Sequence, residues 1–229
     1  GFGDTAEWHR LALKAADKGV PLVALKVGRS THAQAATVSH TASLAGSDAG
    51  AEALLKRLGI ARVPDLPSFV ETLKLMHVYG RLEKPTLATI SCSGGEASLA
   101  ADTAHGRAIS FPPLSDAQRQ KLFDALGPKV ALANPLDYHT YIWRDTERMT
   151  DTFAAMSSPE TGITLAIVDY PHTDAGDWIC ATEAIINAHK RTGRPYGVVT
   201  TLPELLPPEL AEQFMQAGVV PFMGLTEAI

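Results

Sequence analysis

Short apolar runs alternate with amphipathic segments along the chain, and together they predict a repeating order of strands and helices. In the first part of the chain the pattern predicts helices over 6–18, 48–58 and 67–79, with strands over 21–27 and 60–63. Residues 28–46 follow the first strand, and most of them are small or polar. We therefore predict a long loop there.

The second part of the chain continues the same order. The pattern predicts strands over 86–91, 163–169, 196–201 and 219–222, and helices over 115–126, 144–156, 174–191 and 208–217. A further helix is expected to begin near Glu96, and residues 134–143 are expected to form a loop. Short apolar strands separated by helices are typical of parallel sheets with helices on both faces, so we predict an α/β fold with three αβα layers.

A polar segment over residues 81–85 separates the two parts, and we place a domain boundary after Lys84. The predicted domains are residues 1–84 and 85–229. The chain opens without Met at a loop-to-helix junction and stops soon after a new helix begins. We therefore expect a fragment of a longer polypeptide, with the first domain truncated.

Composition and charge narrow the classes of function. The chain has 229 residues, of which 45% are hydrophobic and 20% charged, and its net charge is −5. No Lys/Arg tract occurs, and no apolar run approaches the ~20 residues of a membrane span, so we expect neither a nucleic-acid partner nor a membrane partner. Cys92 and Cys180 stand in dissimilar contexts, so we expect no disulfide framework and a cytoplasmic location.

The predicted loop over 28–46 holds the strongest candidate for chemistry. His40 stands between Ser39 and Thr41, with Ser43 close by. A neutral imidazole is a competent nucleophile near neutral pH, and hydroxyls or helix N-termini can bind the oxygens of a phosphoryl group. A histidine among small residues also serves as a turn residue or a helix cap, so the residues by themselves leave both interpretations open.

Two further segments follow predicted strands. Ser93, Gly94 and Gly95 open a helix, where unpaired amides and the helix dipole favour an anion; a simple tight turn is the alternative. Asn134 and Asp137 are candidates for lining a pocket, and they could equally hold their loop through bonds to the backbone.

We predict neither a nucleotide-binding motif nor a metal site in these residues. The chain contains no Walker-type and no Gly-x-Gly-x-x-Gly motif. His139 and His172 have no further ligands at a recognisable spacing.

Several of these motifs resemble one family. The runs Leu-Lys-Val-Gly-Arg-Ser at 25–30, Ser-His-Thr-Ala-Ser-Leu-Ala-Gly-Ser-Asp at 39–48, Ser-Cys-Ser-Gly-Gly at 91–95 and Asn-Pro-Leu-Asp at 134–137 resemble the NDP-forming acyl-CoA synthetases, relatives of the succinyl-CoA synthetase α subunit. Residues 134–143 are most similar to members described as feruloyl-CoA or acetyl-CoA synthetases. Ala42 stands where the family usually has Gly, but the loop stays small.

The resemblance implies two flavodoxin-like, succinyl-CoA synthetase-like domains and a transiently phosphorylated His40. It implies that the phosphate is bound by a set of small residues: Ser39, Thr41, Ser43, Ser93, Gly94 and Gly95.

It further implies a ligase that joins a carboxylic acid to CoA, with cleavage of an NTP to NDP and phosphate and an acyl phosphate on the way. CoA and ATP with Mg²⁺ would be bound mainly by a Rossmann-like domain and an ATP-grasp domain or subunit, which these residues do not include. The fragment alone is then expected to be inactive. A homodimer, the acyl group and the choice between ATP and GTP are left open.

Two alternatives come from other classes of protein. One is a regulatory module of a lysine acetyltransferase that senses CoA or acyl-CoA, and it typically lacks the phosphorylated histidine. The other is a structural dimerisation domain, which would carry no phosphate on His40. The presence of His40 counts against the first.

Overall fold

The computed structural model describes residues 3–41 and 47–229, with residues 37–41 given by their backbone alone. The chain divides into two compact units, Gly1–Arg81 and Leu82–Ile229. This division falls between Arg81 and Leu82, shortly before the boundary that the sequence pattern predicts after Lys84.

The first unit contains a small parallel sheet among helices. Its elements are α1 (Thr5–Asp17), β1 (Val23–Leu25), α2 (Thr31–Thr41), α3 (Asp48–Arg57), β2 (Ala61–Val63) and α4 (Leu66–Tyr79). Strands β1 and β2 pair in parallel, with Ala24 opposite Arg62. Both strands therefore end at the same edge, after Leu25 and Val63.

Side-chain caps fix where three of these helices begin. Asp4 accepts hydrogen bonds from two amides of the first turn of α1, and Ser47 and Asp65 each accept one at the start of α3 and α4. Such caps satisfy amides that have no partner inside the helix. Leu55 and Ile60 are among the buried apolar residues beneath them.

Helix α2 corrects the loop predicted over 28–46. Thr31–Thr41 is helical, so Ser39, His40 and Thr41 end a helix instead of lying in a loop. The alanines of this segment favour a helix, but its apolar residues do not gather on one face. Because the prediction relied on an apolar stripe, it missed a helix that lacks one.

The second unit is larger and follows the alternation that the sequence predicts. Its elements are β3 (Leu87–Ser91), α5 (Gly94–Ala104), α6 (Asp116–Leu126), β4 (Leu136–Asp137), α7 (Thr146–Met156), β5 (Ile163–Ile167), α8 (Ile179–Thr192), β6 (Tyr196–Thr200), α9 (Pro208–Gln216), β7 (Val220–Met223) and α10 (Leu225–Ala228). Two short 3₁₀ turns, Gly176–Trp178 and Pro203–Leu205, precede α8 and α9.

The five strands of this unit form one parallel sheet in the order β4-β3-β5-β6-β7. Counted within the unit, that is second, first, third, fourth, fifth, which is the flavodoxin-like order. The connections reverse direction between β3 and β5, and ligands of such folds bind at the carboxyl ends of the strands beside this reversal. The order therefore points to the segments that follow Ser91 and Ile167.

A continuous apolar core holds the sheet in place. Every residue of β3, β5 and β6 is buried, as expected for strands covered on both faces. Helices α6, α7 and α8 pack side by side, and α5 contacts α10. Met149, Phe153 and Met156 of α7 are almost completely buried in this core.

A local prediction in this unit needs correction. The expected loop over 134–143 contains β4, which adds one short strand to the sheet edge. A strand of two residues is too short to show the apolar period on which the prediction relied. Helix α5 begins at Gly94 with Ser93 as its N-cap, so Gly94 and Gly95 form its first turn, as the sequence predicts.

Candidate functional site

The candidate site of the second unit lies where β3 ends and α5 begins. Ser91 ends the strand, and its hydroxyl donates a hydrogen bond of 3.0 Å to the Ser93 carbonyl. Ser93 is the N-cap of α5, but its side chain accepts no hydrogen bond from the helix. The first amides of α5 are thus left without the side-chain cap that α3 and α4 have, and helix amides in that condition favour an anion.

Asp137 lies against this helix start. Its Oδ1 accepts a hydrogen bond of 2.9 Å from the His139 amide, and its Oδ2 lies 3.7 Å from His139 Nδ1. His139 has a positive φ of 57°, which is uncommon for a residue other than glycine, and the bond from Asp137 holds its amide in this turn. The carboxylate thereby shapes the turn after β4 and holds an imidazole next to itself.

The Asn134 side chain forms hydrogen bonds with backbone groups. Its side-chain amide donates to the carbonyls of Leu87 (2.9 Å) and Pro112 (3.1 Å), and its oxygen accepts from the Thr89 amide (3.2 Å). Both amide hydrogens are used in this way. The side chain therefore joins β3 to the segments before α6 and β4, and it has no donor left for a ligand.

Glu96 is the carboxyl group that this environment perturbs most among the described residues. It occupies the third position of α5, and its Oε2 is buried without a hydrogen-bond partner among those residues. Burial, followed by repulsion from the carboxylates of Asp169 and Asp137, raises the pKa of Glu96 to about 7. The side chain can therefore gain or lose a proton near neutral pH.

Asp169 reaches this cluster from the end of β5. Its two carboxylate oxygens accept hydrogen bonds from the amide (2.7 Å) and the hydroxyl (2.6 Å) of Thr201, which follows β6. These bonds fix the position of the Asp169 carboxylate, and its charge is one of those that act on Glu96. The site thus combines a helix N-terminus with buried acidic groups.

Cys92 lies in the same segment, between β3 and the N-cap. Burial and, after it, the nearby Glu96 carboxylate raise the pKa of its thiol. A thiol with a raised pKa stays protonated at neutral pH and is a poor nucleophile. Cys92 is thus a small residue at a strand end, as its sequence context suggests.

The residues predicted from the sequence fall into two groups. Ser39, His40 and Thr41 belong to the last turn of α2 in the first unit, whereas Ser43 lies outside the described residues. Ser93, Gly94 and Gly95 open α5 in the second unit. That unit also brings Asp137 close to Gly94, since a Cβ atom on Gly94 would lie 3.2 Å from its Oδ2.

Glu96 and Asp169 are the members of the site that the sequence analysis missed. Asp169 could have been found, because it is the last residue of the largely apolar strand predicted over 163–169, and carboxyl ends of parallel strands carry ligand sites. Glu96 gave no such signal, since an acidic residue in a first helical turn is common. Within the described residues, no three His, Cys, Asp or Glu side chains are grouped so that they could hold a metal ion.

Comparison with known proteins finds relatives of this chain. Residues 1–76 match the succinyl-CoA ligase like flavodoxin domain. An ADP-forming acetate–CoA ligase of Methanocaldococcus jannaschii is 32% identical over 124 residues, which are 54% of this chain and 18% of that enzyme. Subunit alpha of ADP-forming acetate–CoA ligase II of Pyrococcus furiosus is 31% identical over 139 residues, which are 60% of this chain and 30% of that subunit.

The chain is therefore similar to ADP-forming acetate–CoA ligases, and its first 76 residues match a succinyl-CoA ligase like flavodoxin domain. A solved structure agrees with this similarity at the level of the fold. The dinucleotide forming acetyl-coenzyme A synthetase 1 of Ca. Korarchaeum cryptofilum, in complex with phosphate and ADP, matches with a TM-score of 0.79 at 20% identity. The match covers 100% of this chain and 48% of that one, so the present chain spans less than half the length of each of these three proteins.

The described residues of this chain contain no helix that is long and apolar enough to cross a membrane. Its two cysteines, Cys92 and Cys180, are both free.

Proposed function

We propose that the chain is part of a ligase that joins a carboxylic acid to CoA while an NTP is cleaved to NDP and phosphate. The observation that carries this proposal is the sequence Ser39-His40-Thr41 within a segment that matches the succinyl-CoA ligase like flavodoxin domain. The names of two relatives, ADP-forming acetate–CoA ligases, support the same class of reaction.

In this proposal His40 carries a phosphoryl group between two reactions. An imidazole nitrogen attacks the terminal phosphorus of the NTP, and NDP leaves. The carboxylate of the acid then takes the phosphoryl group and frees His40. The CoA thiolate attacks the resulting acyl phosphate, and inorganic phosphate leaves as acyl-CoA forms. The covalent intermediate divides one difficult transfer into easier steps.

The start of α5 is the part of the second unit best suited to hold the phosphoryl group. Its first-turn amides lack a side-chain cap, and glycines at 94 and 95 leave room for a close approach. Ser93–Gly95 contains no Lys or Arg, so the attraction would come from amides and the helix dipole. Such a helix end contributes about 0.3–1 kcal/mol when exposed and up to ~2 kcal/mol when partly buried.

Hydroxyl groups of Ser39, Thr41 and Ser43 are proposed as further donors to the phosphate, and Asp137 as a group that lines the site. CoA, the NTP and its Mg²⁺ would be bound mainly by an ATP-grasp domain or subunit and a CoA-binding domain beyond these residues. The chain alone is then inactive. The free cysteines fit a reducing cytoplasm, where we propose the protein works.

The stoichiometry of the products tests this function. The full-length protein, with any separate ATP-grasp subunit added, is incubated with ATP, Mg²⁺, CoA and acetate. We expect acetyl-CoA, ADP and phosphate in equal amounts, and hydroxylamine should trap the acyl phosphate as a hydroxamate when CoA is left out. Formation of AMP and pyrophosphate would overturn the proposal, because the phosphoryl group would then not pass through a histidine.

A further inference from the structure

A cavity of about 740 Å³ opens in the first unit, at the edge where β1 and β2 end. Lys26 directly follows β1, and Val63 ends β2. The carboxyl ends of parallel strands are the usual place for ligands in α/β folds, and the volume lies within the range of small-molecule sites. The described residues that line this cavity have no role in the proposed function.

The described wall of the cavity carries three cations and two carboxylates, so one positive charge is left over. Arg62 makes the close ion pairs, at 2.5 Å to Asp48 and 2.8 Å to Glu52. Lys26 and Arg29 also approach Asp48, but at 3.8 and 3.7 Å, which is too long for a hydrogen bond. The two carboxylates are thus engaged mainly by Arg62.

Lys26 and Arg29 remain able to bind an anion from the cavity. Lys26 donates to the Val27 carbonyl at 3.2 Å, and its side chain is only 21% exposed, so the ammonium group is held at the wall. Arg29 is 84% exposed and stands at the rim. An ammonium group has three donors and a guanidinium group five, so both side chains keep hydrogen-bond donors that these contacts do not use.

Backbone groups add to the positive charge that Lys26 and Arg29 place at this edge of the sheet. Ser30 lines the cavity and caps α2, since its hydroxyl oxygen accepts a hydrogen bond from the Ala33 amide. The first turn of α2 therefore faces the same edge as Lys26 and Arg29, with the partial positive charge of a helix N-terminus. Gly28, with a φ of 89°, makes the tight turn that joins β1 to this helix.

We propose that this cavity binds a phosphate-bearing small molecule, with Lys26 and Arg29 as the side chains that contact the phosphate. The site is separate from the residue proposed for phosphoryl transfer, because His40 lies nine residues after Thr31, about 14 Å along α2. The proposal does not depend on the function proposed above.

A phosphate fits this arrangement better than a single carboxylate. Asp48 already presents a carboxylate to all three cations, so a second monoanion of the same kind gains little by replacing it. A phosphate dianion carries twice the charge and more acceptor oxygens, and Lys and Arg are the usual phosphate-binding side chains. The phosphate then contacts Lys26 and Arg29, while Arg62 stays paired with Asp48 and Glu52.

Calorimetric titration of the chain with pyrophosphate tests this inference, and orthophosphate, ADP and acetate serve as further probes. We expect saturable binding of pyrophosphate that weakens as salt is raised, and no comparable binding of acetate. The double substitution Lys26→Gln with Arg29→Gln should weaken pyrophosphate binding about tenfold or more, as expected when two charged hydrogen bonds are lost. Competition by ADP at lower concentration than orthophosphate would identify a phosphorylated organic ligand, and the reverse order would identify the inorganic ion.

Lys56→Gln with Arg57→Gln is the matched control, because it removes the same charge from the exposed end of α3 outside the cavity. Circular dichroism of each variant checks that the unit is still folded. Equal weakening in the control pair would overturn the proposal by showing a general charge effect. The absence of pyrophosphate binding by the unsubstituted chain, or acetate binding as tight as that of pyrophosphate, would overturn it as well.

Discussion

Asp137 Oδ2 lies 3.2 Å from the position that a Cβ atom on Gly94 would occupy. A contact of this length is tighter than almost all contacts of real Cβ atoms, so any side chain at 94 has to displace the Asp137 carboxylate or be displaced itself. The relationship joins the helix start that is proposed to hold a phosphoryl group to the acidic residue that ends β4.

Replacing Gly94 by Val should therefore harm phosphoryl transfer more than folding. The branched side chain would fill the space in front of the first amides of α5 and push on Asp137. We expect phosphorylation of His40 in the full-length protein to fall about tenfold or more, because small misplacements at a reacting centre are costly. Leu99→Val is the control, since it places the same side chain at an exposed position of the same helix. Equal losses in the two variants would show that α5 is merely sensitive to β-branching.

The raised pKa of Glu96 gives a pH dependence of stability with a defined sign. Its pKa is about 7 in the folded protein and near 4.3 in an unfolded chain, so between these values the folded state binds more protons. The contribution of Glu96 to stability is present below pH 4.3 and is lost as the pH rises through 7. Glu96→Gln should remove this loss and stabilise the second unit at pH 8 by about 1–2 kcal/mol, after allowance for its partly exposed side chain.

Urea unfolding of wild-type and Glu96→Gln chains at pH 5 and pH 8 measures this difference. A Trp8→Phe background restricts the fluorescence signal to Trp143 and Trp178, which lie in the second unit. Glu209→Gln, at an exposed position of α9, should change the free energy of unfolding neither at pH 5 nor at pH 8. If Glu96→Gln loses as much stability between pH 5 and pH 8 as the wild type, Glu96 does not titrate as described.

Asn134→Ala should destabilise the second unit by about 2–4 kcal/mol, because two carbonyls and one amide of the partly buried backbone lose their partner. Asn187→Ala, at an exposed position of α8, is the control and should cost far less. Asn134→Asp keeps the acceptor for the Thr89 amide but loses both donors, so we expect it to be destabilising too. An Asn134→Ala variant with unchanged stability would contradict the supporting role of this side chain.

Limited proteolysis should attack the first unit before the second. The sheet of the first unit has two strands of three residues among those described, whereas the second unit has five parallel strands around a continuous core. Regions with few buried apolar contacts open at a lower free energy. Mass spectrometry of a trypsin time course should show early cuts before Lys84 and a lasting fragment that contains 86–229. Early cuts after Arg119, Lys121 or Arg148, in helices α6 and α7 of the second unit, would contradict this order.

The sequence was sufficient to predict the alternation of strands and helices in the second unit, because its strands β5 and β6 are apolar runs separated by helical segments. It was not sufficient for α2, where alanine and threonine give no stripe, nor for β4, which is too short for a period. The sequence also could not predict that Glu96 and Asp169 lie close together. Their proximity depends on β3 and β5 being neighbours in the sheet although β4 lies between them in the chain, and hydrophobic periodicity carries no information about that order.

The identity of the phosphorylated residue tests the account most directly. The full-length protein, with its ATP-grasp partner where that is separate, is incubated with γ-labelled ATP and Mg²⁺ and digested for mass spectrometry. We predict an acid-labile, base-stable label on His40 that is absent from His40→Ala and retained in His32→Ala, which removes the other histidine of α2. A label that persists undiminished in His40→Ala, or that is lost equally in His32→Ala, would contradict the central claim.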